Sequence, residues 1–183
     1  MECEALDIPE VKLLKPRVFK DDRGFFSETY NKASYGKVGI DVDFCQDNFS
    51  YSVHSGTVRG LHYQAPPFAQ SKLVRVLRGS IIDVAVDARR SSSTFGHWVS
   101  AELSSENMRQ LFVPRGFLHG FITLTPNTEV AYKVDAFYDN EADGAVVWND
   151  PDLAIDWGAH ASEPVLSDKD KNAPSWAQFE SPF

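Results

Sequence analysis

Cysteine is scarce in this 183-residue chain, which contains only Cys3 and Cys45. Two isolated cysteines exclude a disulfide framework and a thiolate metal site, and we expect both to be reduced thiols. Long apolar runs are also missing, because no stretch of about eighteen apolar residues occurs. The first residues, MECEALDIPEV, are acidic where a secretory signal is basic and then apolar. We therefore expect a cytoplasmic protein that does not contact a membrane.

Basic residues are outnumbered as well. The chain has 18 Lys and Arg against 26 Asp and Glu, which gives a formal net charge of −8. This balance argues against a protein that binds nucleic acid or anionic membranes through general electrostatic attraction. An anionic ligand must therefore meet a local cluster of basic side chains.

What the chain does contain is a succession of short strand-like segments. Hydrophobic residues make up 43% of it, enough for a single domain over residues 1–183 with one core. Seven segments are rich in β-branched and aromatic residues: KLVRVL, SIIDVAVD, HWVSAEL, QLFVP, GFITL, EVAYKV and AVVWND. Only residues 31–39 and 167–179 have the pattern of a few helical turns. We predict an all-β, double-sheet jelly roll rather than an immunoglobulin-like sandwich, with a cavity between the sheets.

One hairpin is predicted in detail. The stretch LRGS at Leu77–Ser80 has the form of a two-residue turn between two strands. In that register Val74 pairs with Asp83, and Lys72 becomes a diagonal neighbour of Asp83 on the same face. A lysine and an aspartate on an apolar face are costly to bury unless they are paired or take part in chemistry.

The stretch VRGLHYQ at Val58–Gln64 holds a histidine that is a core residue, a metal ligand or a base. A second stretch, PRGFLH at Pro114–His119, has the Pro-x-Gly-x-x-His spacing of cupins, which are metal-binding jelly rolls. Cupin metal sites need a His-x-His pair and a glutamate in the first motif, but here His62 is followed by Gln64 and no glutamate lies at the expected offset. Two histidines alone do not make a tight divalent metal site. We therefore predict a cupin-like jelly roll with a metal-free pocket.

The sequence also lacks the motifs of nucleophilic catalysis and of dinucleotide binding. There is no Gly-x-Ser-x-Gly segment, and neither cysteine has a neighbouring histidine or basic residue that would lower its pKa. No glycine-rich loop opens a helix, so no dinucleotide cofactor is expected. Acid–base chemistry remains, and its candidate groups are His62, Lys72, Asp83, His119 and Tyr132.

Seven blocks, in order along nearly the whole chain, closely resemble the dTDP-4-dehydrorhamnose 3,5-epimerase family. They are DDRGFFSE (21–28), CQDNFSYS (45–52), GTVRGLHYQ (56–64), KLVRVLRGSIIDVAVDAR (72–89), FVPRGFLHGF (112–121), WNDPDLAIDW (148–157) and LSDKD (166–170). The resemblance implies a jelly-roll homodimer that uses no cofactor and epimerises dTDP-4-keto-6-deoxyglucose at C3 and C5. An epimerase acting on one carbon is the nearest alternative, followed by a non-catalytic jelly roll that binds nucleotide sugars.

The resemblance also implies catalytic roles. Both carbons flank the C4 ketone, so inversion needs a base on one ring face, an acid on the other, and a positive group or donor at the enolate oxygen. By the family pattern these groups are His62, Tyr132 and Lys72, respectively. Asp170 is expected to orient His62, with Asp168 and Asp83 as rivals for that role.

The remaining blocks are expected to bind the nucleotide sugar. Arg23 and Arg59 suit the diphosphate, because a guanidinium offers paired donors to phosphate oxygens. Tyr138 resembles the residue that stacks on the thymine. The resemblance implies that residues 1–30 form an N-terminal arm, which in this family extends to the site of the neighbouring subunit. Phe26 and Glu28 lie in this arm and are expected to contact the substrate there. The other expected contacts are Gln46, Asp47, Asn48, His119, Lys169 and Asp143, the last standing where the family usually has glutamate.

Overall fold

A computed structural model describes all residues from 1 to 183 and contains two β-sheets, a small separate hairpin and two short α-helices. The strands, numbered in chain order, are β1 Glu2–Ala5, β2 Lys12–Lys15, β3 Val18–Asp21, β4 Gly24–Ser27, β5 Gln46–Ser52, β6 Val58–Gln64, β7 Lys72–Arg78, β8 Ser80–Asp87, β9 Trp98–Ser104, β10 Gln110–Val113, β11 Phe117–Thr123, β12 Thr128–Val134 and β13 Asp143–Ala145. The helices are α1 Lys32–Gly36 and α2 Asp168–Lys171, with 3₁₀ turns at Ala159–Ser162 and Trp176–Gln178. No helix is long and apolar enough to cross a membrane.

Two antiparallel sheets enclose the core. One sheet has six strands in the order β1-β2-β10-β7-β12-β5, and the other has five in the order β13-β6-β11-β8-β9. Strands β3 and β4 pair only with each other. The main core contains inward-facing side chains from both sheets, among them Val74 and Val76 of β7 and Ile81 and Ala85 of β8.

The outer faces of both sheets are also covered. Val84 and Val86 of β8 pack beneath the C-terminal part of the chain in a second cluster that includes Trp148 and Trp157. Residues 30–44, which contain α1, cover part of the six-stranded sheet through a third cluster around Tyr35. Because β8 is buried on both faces, its sequence reads as a nearly continuous apolar run.

The predicted hairpin at Leu77–Ser80 is wrong. Strand β7 pairs with β10 and β12 in the six-stranded sheet, whereas β8 pairs with β9 and β11 in the five-stranded sheet. The chain therefore changes sheets at this corner, where Gly79 has a φ of +78° that favours glycine. Lys72 and Asp83 nevertheless approach each other, because both project into the space between the two sheets.

The predicted strand AVVWND is wrong for most of its length. Only Ala145 lies in a strand, at the end of β13. Val146 still exchanges two backbone hydrogen bonds with Leu61, of 2.9 and 3.1 Å, but Val147 then donates to the carbonyl of Pro174. The other six predicted strand segments coincide with β7 to β12 within a few residues. Both helical segments were placed correctly but are shorter than predicted.

Candidate active site

A cavity of about 430 Å³ lies between the two sheets and collects most of the acid–base candidates. Its lining comprises Ser50, Thr57, Val58, Arg59, His62, Lys72, His119, Phe121, Tyr132, Val165, Leu166, Ser167 and Asp170. His62 and His119 come from the five-stranded sheet, while Lys72 and Tyr132 come from the six-stranded sheet. Titratable groups therefore face the cavity from opposite walls.

His62 is bonded to a buried carboxylate. Its Nε2 donates to Oδ1 of Asp170 at 2.6 Å, and Ser167 donates to the other oxygen, Oδ2, at 2.7 Å. Burial by itself raises the pKa of Asp170, but the hydrogen bonds from His62 and Ser167 outweigh that effect and hold the pKa below its usual value. The carboxylate is therefore ionised at neutral pH, and it leaves Nδ1 of His62 as the free ring nitrogen.

Of the three carboxylates considered as partners of His62, Asp170 is the one in contact with it. Asp168 is exposed and pairs with Lys171 in the same helix at 3.6 Å. Asp83 bonds instead to His119, whose Nε2 lies 2.7 Å from its Oδ1. His119 stands directly opposite His62 on the neighbouring strand. The site thus contains two histidine–carboxylate pairs side by side.

Lys72 and Tyr132 share the opposite wall. Burial lowers the pKa of Lys72 to about 8, against the charges of Asp83 and Asp143, which raise it. Burial raises the pKa of Tyr132, so its hydroxyl keeps its proton at neutral pH. An ammonium group and a protonated phenol therefore face the two histidines.

Arg59 lies at the edge of this cavity. Its Nη2 donates to the backbone oxygen of Tyr51 at 3.2 Å, and its Nε donates to Ser52 at 3.4 Å. It forms no ion pair with any carboxylate of the chain, so its charge is available to an anion.

The strand that holds His62 packs closely on its neighbour. Gly60 has a φ of +132°, and a Cβ atom added to it would lie 2.5 Å from the Cα of Gly120 on β11. The backbone of β6 can therefore approach β11 only because glycines stand at both positions. This close contact helps to fix the position of His62 opposite His119 on the neighbouring strand.

Five of the residues expected to bind the nucleotide sugar are linked to one another by hydrogen bonds and an ion pair. Gln46 donates to Asn48 at 2.8 Å and accepts from the backbone N–H of Tyr138 at 3.2 Å. The Tyr138 ring is exposed, and its hydroxyl lies 3.4 Å from Asp143. Asp143 in turn forms an ion pair with Lys169. These five residues form a connected group, but none of them lines the cavity itself.

Four other expected contacts lie elsewhere. Asp47 points to the outer face of its sheet, where it pairs with Lys133 at 2.8 Å and lines a separate cavity of about 270 Å³. Arg23, Phe26 and Glu28 are exposed and do not line the cavity of their own subunit. Arg23 contacts only Asp21, at 2.5 Å. The structure of one chain therefore does not bring these four residues to the site.

Seven of the 13 cavity residues were not predicted from the sequence, and Ser167 and Ser50 are the two with a polar group that bears on the site. Ser167 bonds to Asp170 and also caps helix α2, and its position in the LSDKD block was the available signal. Ser50 has a buried hydroxyl without a hydrogen-bond partner in the protein. Its place in the CQDNFSYS block could have indicated a ligand contact. No group of three or more His, Cys, Asp or Glu side chains is arranged to hold a metal ion.

Fold and site together define a jelly-roll protein with acid–base groups on both walls of its cavity. The family model for dTDP-4-dehydrorhamnose 3,5-epimerase matches residues 5–178. The dTDP-4-dehydrorhamnose 3,5-epimerase of Sinorhizobium fredii is 51% identical over 179 residues, covering 98% of this chain and 91% of the relative. This chain belongs to the dTDP-4-dehydrorhamnose 3,5-epimerase family, and the resemblance and isomerase class predicted from its sequence are confirmed.

Solved structures agree with this assignment. The crystal structure of the Bacillus anthracis dTDP-4-dehydrorhamnose 3,5-epimerase with TDP and PPi bound is 50% identical, has a TM-score of 0.92, and covers 95% of this chain and 98% of that one. The Legionella pneumophila dTDP-6-deoxy-D-glucose-3,5-epimerase in complex with dTDP-4-keto-L-rhamnose is 42% identical, also with a TM-score of 0.92, and covers 98% and 94%. The predicted jelly-roll fold is thereby confirmed.

Proposed function

We propose that this chain epimerises dTDP-4-dehydro-6-deoxy-D-glucose at C3 and C5 to give dTDP-4-dehydro-L-rhamnose, within dTDP-L-rhamnose biosynthesis. One observation carries the proposal. His62 and Tyr132 project from opposite sheets into the same cavity, and Lys72 lies on the wall with Tyr132. Inversion at carbon requires a base and an acid on opposite sides of the sugar ring, and this arrangement supplies both.

In the proposed first step, Nδ1 of His62 removes the proton from a carbon next to the C4 ketone. The electron pair of the C–H bond forms a double bond between that carbon and C4, and the π electrons of the ketone move to its oxygen, which gives an enolate. Lys72 stabilises that oxygen as an ammonium group in a cavity where charges interact strongly. Asp170 stabilises the imidazolium of His62, because its lowered pKa keeps it ionised.

In the proposed second step, Tyr132 donates its phenolic proton to the same carbon from the opposite face. The enolate collapses to the ketone with the configuration inverted. The raised pKa of Tyr132 supports this role, since the acid must hold its proton until the enolate forms. Repetition at the second carbon completes the double inversion, and solvent returns both residues to their starting protonation states.

The nucleotide half of the substrate has candidate contacts as well. The bound TDP and dTDP-4-keto-L-rhamnose in the two solved relatives support a dTDP-sugar as the ligand. We propose that Arg59 contacts the diphosphate and that Tyr138 stacks on the thymine. A homodimer, with Arg23, Phe26 and Glu28 of each arm serving the partner's site, and a cytoplasmic location complete the proposal.

The decisive experiment is an NMR time course of dTDP-4-keto-6-deoxyglucose with the purified protein in deuterated water, without added metal and with a chelator present. Deuterium entering both C3 and C5, with a partner reductase trapping the L-lyxo product, is the expected result. Exchange at one carbon only would indicate a single-carbon epimerase. Tight substrate binding without any exchange would indicate a non-catalytic binding protein, and activity that the chelator abolishes would contradict the metal-free mechanism.

A further inference from the structure

Asp83 is an unusual buried carboxylate. It is 0% exposed, its Oδ1 accepts from His119 at 2.7 Å, and its Oδ2 accepts no hydrogen bond from any protein group. Only one other buried side-chain polar atom, the hydroxyl of Ser50, is without a partner. Ser50 lines the cavity and can bond to a ligand, but Asp83 does not line it. A half-satisfied buried carboxylate is costly, so a nearby positive charge must offset it.

Lys72 is the positive charge that fits. It is half-buried and forms no direct ion pair. The groups that act on its charge are Asp83 on β8, Asp143 on β13, Lys169 on α2 and His119 on β11. His62 of β6 and Tyr132 of β12 line the same cavity. Asp143 is already paired with Lys169. The charge of Asp83 is not cancelled in this way, because burial lowers the pKa of its partner His119 and keeps that imidazole neutral.

The bond between Asp83 and His119 also fixes the imidazole. A carboxylate can only accept here, so the proton of neutral His119 lies on Nε2. Its Nδ1 is then a hydrogen-bond acceptor on a side chain that lines the cavity. One carboxylate therefore acts on two groups that face the substrate, without touching the substrate itself.

We propose that Asp83 is a positioning residue whose buried charge keeps Lys72 in its ammonium form and whose hydrogen bond holds His119 with its proton on Nε2. The inference rests on the proposed function, in which Lys72 must be positively charged to stabilise the enolate. Asp83–His119 is then a second histidine–carboxylate pair with a purpose different from that of Asp170–His62. Asp83–His119 sets the charge of the cavity, and Asp170–His62 takes up the proton.

The first test is the pH dependence of kcat/KM in Asp83→Asn, with Asp83→Glu alongside it. Loss of protonated Lys72 should produce the alkaline limb of the profile, because the pKa of Tyr132 lies higher. Removing the negative charge lowers the pKa of Lys72, so in Asp83→Asn the limb should move to lower pH by about one unit. Asp83→Glu keeps the charge and should keep the limb. Asp168→Asn, which removes an exposed carboxylate, should leave the whole profile unchanged.

The proposal would be overturned if the alkaline limb of Asp83→Asn stayed at the pH of the unmodified protein while kcat/KM fell by the same factor at every pH. Asp83 would then have only a structural role. The lysine ¹³C NMR titration separates this from failure of the proposed function, because it needs no turnover. The resonance that disappears in Lys72→Arg should titrate near 8 in the unmodified protein and lower in Asp83→Asn. If Asp83→Asn does not fold, the histidine ¹⁵N NMR spectrum of the unmodified protein provides the test. We expect the proton of His119 on Nε2, and a proton on Nδ1 would contradict the inference.

Discussion

The two histidine–carboxylate pairs are chemically alike but differ in exposure. The side chain of His62 is 29% exposed toward the cavity, whereas that of His119 is 8% exposed. A buried group that becomes charged is strongly penalised unless it is solvated or paired. His62 can therefore accept a proton during turnover at lower cost than His119. This difference supports His62 as the base and His119 as a neutral partner of the substrate.

Replacing His62 by Asn should abolish turnover. The roughly 10²–10⁴-fold contribution of a general base is a lower bound here, because His119, the other imidazole on that wall, is nearly fully buried and costly to protonate. We expect kcat to fall by at least about 10⁴-fold and deuterium exchange at both carbons to be lost. His54→Asn changes an exposed histidine outside the cavity and serves as the matched control. Near-normal exchange in His62→Asn would remove this residue from the mechanism.

Replacing Tyr132 by Phe separates the two half-reactions. The ring remains to pack against the core, but the proton donor is lost. Abstraction by His62 should continue, so deuterium should still enter the substrate, while inverted product should form at least about 10²-fold more slowly. The ratio of exchange to inversion, followed by NMR, checks this. An unchanged rate and product ratio would show that another group is the acid.

The pairing of His62 with Asp170 was predicted from the sequence, but the pairing of His119 with Asp83 was not. Short blocks such as GLHYQ and LSDKD identified His62 and Asp170. Asp168 and Asp83 remained as rivals of Asp170, because His62 and Asp170 are 108 positions apart and meet only in the folded chain. The contact between Asp83 and His119 joins β8 to β11 and has no local signal in the sequence.

At the scale of elements, the errors occur where two arrangements satisfy the same pattern. Two apolar segments joined by Arg-Gly can pair as a hairpin or turn a corner between sheets, and β7 and β8 turn the corner. The choice depends on partners far along the chain, since β10 and β12 complete the sheet around β7. The segment AVVWND fails for a related reason: Trp148 is buried by the C-terminal part of the chain rather than by strand pairing.

The close contact between β6 and β11 makes Gly60 a sensitive position. An added methyl group would lie 2.5 Å from Gly120 and 2.9 Å from the carbonyl oxygen of His119, at a φ of +132°. Gly60→Ala should therefore lower the free energy of unfolding by about 2–4 kcal/mol, through strain and overpacking. Because His62 is two residues away, activity should fall even where the variant remains folded.

Gly36→Ala is the control for Gly60→Ala. An added methyl group at Gly36 meets no atom within 4 Å, and this residue ends helix α1. We expect the free energy of unfolding to stay unchanged or to rise by up to about 1 kcal/mol. Urea unfolding measured on both variants compares them directly. A Gly60→Ala protein as stable as Gly36→Ala would show that the two strands can separate without cost.

At the scale of the whole molecule, the hairpin of β3 and β4 within the N-terminal arm is incompletely packed, although β1 and β2 of the same arm belong to the six-stranded sheet. Phe25 and Phe26 are 60% and 68% exposed, and Arg23 contacts nothing beyond Asp21. Adjacent exposed aromatic rings on a two-stranded hairpin are typical of a surface that another chain covers. The hairpin of β3 and β4 pairs with neither large sheet, so its own subunit does little to hold it. We therefore expect this hairpin to be covered by a partner subunit in the proposed homodimer.

Mixing two inactive variants tests whether the arm serves the partner's site. One variant is His62→Asn, with a defective cavity and an intact arm, and the other is Arg23→Ala combined with Glu28→Ala, with an intact cavity and a defective arm. If arms are exchanged in a two-fold dimer, each mixed dimer contains one complete site. Equal mixing and full subunit exchange should then restore about a quarter of the wild-type activity. If each arm serves its own subunit, every site in the mixture keeps one defect and no activity returns. Light scattering on the same samples reports whether dimers form, which distinguishes a monomeric protein from a dimer whose arms are not exchanged.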